Sequence, residues 1–166
     1  PQYLIFKPAM SVTSILLCFY WYKNNILINR FKNTKLKKNA FMIFGILSAL
    51  FLLIHSILLG LETDVKIFKF LRRVVLLSFV IFEIIAQSLL VVNFYKLKIE
   101  LTNYLNLNIL KLKILLVSTL IFIAIISIPL LIMSGNVHFK HGLEWNYFIG
   151  VILFYLLTRF FWKKNF

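Results

Sequence analysis

Long apolar runs alternate with short basic ones along this chain. A bilayer core takes about 20 mostly apolar residues per helix, and five stretches meet or approach that length, at roughly 3–22, 41–60, 74–95, 114–133 and 145–161. The first is interrupted by Lys7 and Pro8. A proline in a first turn has no useful N–H to lose, and a lysine near a helix end can extend its ammonium to the interface. The last, about 17 residues, is at the short end of what spans. The pattern predicts an all-α integral membrane protein, a bundle of about five transmembrane helices forming a single domain over residues 1–166. Short interfacial helices are expected around 65–73, where Lys66, Lys69 and Arg73 share one face of VKIFKFLRR, and over 98–110. Ser127 and Pro129 mark a kink in the fourth span, and Ser118 and Thr119 are expected to bond back to their own helix. No internal repeat, heptad seam or low-complexity linker is read in the chain.

Composition strengthens the membrane reading. The 166 residues are 61% hydrophobic and only 14% charged, where soluble domains sit nearer half apolar and a quarter charged. Lys and Arg number 19 against five Asp and Glu. On a soluble chain that excess would point to nucleic acid; here no nucleic-acid partner is expected, because the apolar runs dictate a bilayer whose anionic head groups meet the lysines. The basic residues are also unevenly placed. Segment 23–39 carries six and no acid, segment 96–113 carries four against Glu100, and Arg159, Lys163 and Lys164 follow the fifth run. Lys7, Lys66, Lys69, Arg72, Arg73 and Lys140 fall on the other side. The positive-inside rule then puts the N-terminus outside and the C-terminus inside. Tyr20, Trp21, Tyr22, Tyr95, Trp145 and Tyr147 stand at span ends, as an aromatic belt would.

Abundant Lys, Asn, Ile and Phe suit an AT-rich gene, and a bacterial or organellar inner membrane is the expected location. The chain opens Pro-Gln-Tyr with no initiator Met, so residues are expected ahead of Pro1. The first apolar run lacks a small-residue cleavage site, and no secretory signal peptide is expected. Cys18 stands alone and reads as a small packing residue.

The stretch SFVIFEIIAQSLLVV, residues 78–92, places a glutamate near the middle of the third span. Ionised and unpaired there it would cost roughly 2.5–3.5 kcal/mol on insertion scales, so Glu83 must be protonated, paired or facing water. Gln87 is one turn along the same face, and Arg72 falls within about 20° of it. At 1.5 Å per residue Arg72 is roughly 16 Å away along the axis, too far to pair within the helix. A partner must come from elsewhere, and Gly45, Ser48 and His55 line a narrow face of the second span. The expected intramembrane polar site is therefore Glu83, Gln87, His55 and Arg72.

His138, His141 and Glu144 stand three apart before the fifth span, a spacing that suits a metal. Gly142 is expected to interrupt any helix there, and interfacial His and Glu are ordinary surface residues, so no metal is assigned. Nucleotide, zinc-protease and serine-hydrolase motifs are missing from the sequence, and no catalytic residues are assigned. Three roles fit. The first is a non-enzymatic subunit or assembly partner of a larger membrane complex, with another membrane protein and the lipid bilayer as its partners and no cofactor. The second is a small carrier or proton-linked transporter with an outward-facing cavity around Glu83. The third is a b-type haem protein with His55 and either His138 or His141 as axial ligands.

Overall fold

Apolar sequence with few breakers makes long helices, and five form among the described residues. A computed structural model describes residues 2–31, 39–58, 66–133 and 137–163, with side chains over 5–30, 39–58, 67–126 save Lys69, and 145–163. The helices are α1 (Gln2–Phe31), α2 (Ala40–Leu58), α3 (Lys66–Lys96), α4 (Leu107–Met133) and α5 (Val137–Phe161). Among the described residues there is no strand, only an isolated bridge between Leu105 and Trp162. Three stretches are long and apolar enough to cross a membrane, Ala40–Leu58, Phe70–Lys96 and Leu107–Ile126; Trp145–Phe161 is apolar but shorter. The chain divides within α3 into two compact units, Pro1–Ala86 and Gln87–Phe166.

Several expected boundaries shift. No separate helix occupies 65–73, because nothing between Lys66 and Lys96 is Gly or Pro and α3 runs through in one piece. Residues 97–104 are turns rather than a helix, tied by single i→i+4 bonds from the amides of Leu97, Leu101 and Leu105. Helix resumes at Leu107, where Asn106 Oδ1 accepts from the Asn108 amide at 3.1 Å and so caps the first turn. Gly142 does not end α5, which starts at Val137 and passes through it. A glycine in a helix costs about 1 kcal/mol relative to alanine, a penalty that one long apolar helix absorbs. Pro8 lies inside α1 rather than in its first turn, since the helix already begins at Gln2.

In the first unit α1 and α2 pack antiparallel through small and hydroxyl side chains. Ser14 Oγ donates to the Ala49 carbonyl at 2.6 Å. Just under one turn nearer the start of α1, Ser11 Oγ and Ser56 Oγ lie 2.9 Å apart, and each also reaches the Lys7 carbonyl at 3.0 Å. A hydroxyl has one proton, so two protons serve these three contacts. At the other end of the pair Trp21 is wholly buried, its ring lying over Gly45 and 6.4 Å from that of Phe41. This corrects its reading as a belt residue: Gly45 leaves a slot in α2, and the indole fills it. Tyr22, Tyr95 and Trp145 are exposed, as belt residues would be.

The buried side of α2, Phe41, Gly45, Ser48, Leu52 and His55, advances by steps of four and three. On α1 the buried Ser14, Trp21, Asn25 and Ile28 keep the same step. A short seam of heptad spacing therefore exists where none was expected. Its residues are Gly, Ser, Asn and His as often as apolar, the composition used where helices approach closely, so hydrophobic periodicity does not reveal it.

Replacing Gly45 by alanine sets a methyl group against the Trp21 ring. Gly45→Ala is expected to lose about 1–3 kcal/mol, the usual penalty of overpacking, seen as a lower thermal midpoint in detergent. Adding Trp21→Leu should recover part of that loss, and an unchanged midpoint in Gly45→Ala alone would contradict this packing.

Candidate functional site

α3 turns Val75, Phe79, Glu83, Gln87 and Leu90 inward, a stripe at helical spacing. Glu83 and Gln87 have no solvent exposure, whereas Arg72, further up the helix, is exposed. The stripe read from the sequence is therefore the buried face of the helix from Phe79 onward, and Arg72 stands at its open end.

Glu83 meets α2 at Ser48. Ser48 Oγ donates to Glu83 Oε2 at 2.5 Å and also lies 2.8 Å from the Gly45 carbonyl of its own helix. One hydroxyl proton thus has two acceptors in reach. Phe82, next to Glu83, stacks between Phe44 and Phe51 of α2, with ring centroids at 5.9 and 5.4 Å. Phe44 and Phe51 stand two turns apart on α2, and the pair of stackings brackets the level of Ser48. The α2–α3 contact is thus a carboxylate–hydroxyl bond flanked by aromatic faces.

His55 stands seven residues beyond Ser48, roughly 10 Å along α2. It is buried and lies within hydrogen-bonding and electrostatic reach of Arg72. Its Nδ1 has no hydrogen-bond partner among the described residues. The expected residues thus do not form one cluster: Glu83 meets Ser48 at one level and His55 lies near Arg72 at another. Gln87 is one turn beyond Glu83, on the side away from Arg72.

His138, His141 and Glu144 belong to α5, and their side chains lie outside the described ones. Among the described residues no group of three His, Cys, Asp or Glu is placed to hold a metal.

A second buried polar centre escapes a reading of the sequence. Lys113 of α4 is 2% exposed. Its Nζ donates to Thr158 Oγ1 of α5 at 2.7 Å and sits 4.2 and 4.9 Å from the ring centroids of Phe154 and Phe161. Thr158 Oγ1 is also 3.2 Å from the Phe154 carbonyl. A desolvated ammonium over aromatic faces gains about 2 kcal/mol or more from each favourable contact, which offsets part of its loss of water. Lys113 reads as a loop cation when the fourth span is taken to begin at 114; with α4 starting at Leu107 it lies nearly two turns inside a helix. The one signal available beforehand is the LKLKILL pattern, which sets Lys113 four residues ahead of the buried Val117. Thr119 does bond back to its own helix, donating to the Leu115 carbonyl at 2.9 Å, as its position suggests.

Compared with known protein families, curated proteins and solved structures, the chain matches none.

Three substitutions test these centres. Ser48→Ala removes the donor that Glu83 uses and should cost about 1–2 kcal/mol, the range of hydrogen bonds between membrane helices. For the second centre, Thr158→Val should cost about 1.5–3 kcal/mol by taking an acceptor from a buried ammonium. Lys113→Met keeps the aliphatic stem without the charge and should be neutral or stabilising. Denaturation followed by circular dichroism in detergent reads all three, and Lys113→Met more damaging than Thr158→Val would count against the second assignment.

Proposed function

We propose that this chain is an integral membrane protein of five helical spans, N-terminus outside, that serves as a non-enzymatic subunit or assembly partner of a larger complex. The proposed location is a bacterial or organellar inner membrane. The observation that carries the role is the use made of Glu83. Its carboxylate is wholly buried and takes the hydroxyl of Ser48 on the neighbouring helix. Ser11, Ser14 and Ser56 are employed in the same way between α1 and α2. Polar atoms of the first unit thus join helix to helix, the use expected of a scaffold.

The outward faces support the membrane part of the reading. Ile5, Phe6, Val12, Ile15, Leu16 and Phe19 of α1 are all more than half exposed. With Ser11 and Ser14 turned to α2, the side of α1 left over is greasy enough for lipid even though Lys7, Pro8 and the hydroxyls dilute the helix as a whole. Ile67, Phe70 and Leu77 do the same for α3. A soluble monomer rarely exposes apolar area on this scale, and acyl chains or partner helices would cover it.

Glu83→Gln and Glu83→Leu separate a joining role from a titrating one. The glutamine amide can still bond Ser48, so Glu83→Gln should keep yield and co-purifying subunits close to wild type. Glu83→Leu removes the acceptor on α3, leaves the Ser48 hydroxyl only the Gly45 carbonyl of its own helix, and should reduce both. A pH-dependent flux in reconstituted vesicles that Glu83→Gln abolishes would favour a carrier instead.

A further inference from the structure

We propose that the end of the second unit built from residues 95–112 and 159–163 is a docking surface for anionic phospholipid, an inference that rests on the membrane reading above. The surface is held in shape by a clasp between the 97–106 turns and the end of α5. The Asn106 amide donates to the Phe161 carbonyl at 2.9 Å, and the Lys163 amide donates to the Tyr104 carbonyl at 3.0 Å. Lys163 Nζ donates to the Thr102 carbonyl at 2.8 Å. Beneath the clasp, Phe94 at the end of α3 packs on Phe161 and Trp162 with centroids 5.0 and 6.2 Å apart.

Charge gathers on this end because α3 finishes there, α4 begins there and α5 finishes there. Lys96, Lys111, Arg159 and Lys163 are exposed and Lys98 is half-buried, its Nζ 4.3 Å from the Tyr95 ring centroid. The one acid in the same stretches is Glu100. Large apolar side chains are interleaved with these cations, with Ile99 82% and Phe160 62% exposed. That mixture decides the partner. A nucleic-acid surface would align cations along a backbone and stack exposed aromatics on bases, and Ile99 would be left in water. At a bilayer surface Ile99 and Phe160 enter the acyl boundary while the five cations stay at the depth of the phosphates. A headgroup of net negative charge, rather than a zwitterionic one, is what the charge balance selects.

The full chain, purified in mild detergent and equilibrated with equal phosphatidylglycerol and phosphatidylcholine, is washed and its retained lipid quantified by mass spectrometry. Phosphatidylglycerol should dominate, and each cation removed should lower its retention about fivefold, so Lys98→Gln with Arg159→Gln should abolish most of the preference. Lys23→Gln with Arg30→Gln removes the same charge from α1 and should leave the preference in place. Equal retention of both lipids by the wild type, an equal loss in the two double variants, or nucleic acid displacing the lipid would each overturn the proposal. The wild-type comparison decides even if a double variant fails to fold. Release of the chain from native membranes by alkaline carbonate would instead sink the membrane reading itself, a result distinct from integral protein that shows no lipid preference.

Discussion

A polar side chain shut away from water must find its hydrogen bond on whatever is next to it, and in both units that is another helix. The requirement shapes one end of the α1–α2 contact in the first unit, where serine hydroxyls meet carbonyls and each other. It sets the level at which Glu83 crosses to α2, because Ser48 is the donor there. In the second unit it fixes Lys113 against Thr158. Burying apolar surface does little to choose between helix faces when lipid is as apolar as leucine. Hydrogen bonds and close small-residue contacts then specify which faces meet, and aromatic stacking such as Phe82 between Phe44 and Phe51 fills in around them.

Much of this was legible in the sequence, and the portion that was not has one cause. Apolar runs located the helices, and the spacing of Phe79, Glu83 and Gln87 marked the buried face of α3. Gly45, Ser48 and His55 were recognisable as the narrow face of α2, yet His55 was the favoured companion for Glu83 and Ser48 is the residue that bonds it. Depth estimates from span ends carry an error of a turn or more, which is the distance between picking one and picking the other. Trp21 and Lys113 were misread for a related reason. Both types favour interfaces, and what buries them here is the partner across the contact, Gly45 in one case and the Phe154–Thr158–Phe161 set in the other. Residues of one helix do not announce what a neighbouring helix leaves vacant.

Helix continuity was likewise hard to read from single residues. Gly142 and Pro8 both lie inside helices. A breaker exacts a local penalty, whereas a helix surrounded by apolar sequence has no competing way to satisfy its backbone groups. The turns at 97–104 form without Gly or Pro, in a stretch whose Lys, Glu, Thr and Asn can be solvated and whose backbone is taken up by the end of α5.

That last pairing has a consequence for the order of events when the chain is made. The bridge between Leu105 and Trp162 joins residues 57 positions apart, with all of α4 and α5 between them. The bonds that tie Tyr104 and Asn106 to the end of α5 cannot form until residue 163 has emerged from the ribosome. The pairing of α1 with α2 and the bond from Ser48 to Glu83 involve only residues before 87 and are under no such delay. Synthesis therefore allows α1 and α2 to pair while the C-terminal unit is still open, and the clasp is the step that closes it.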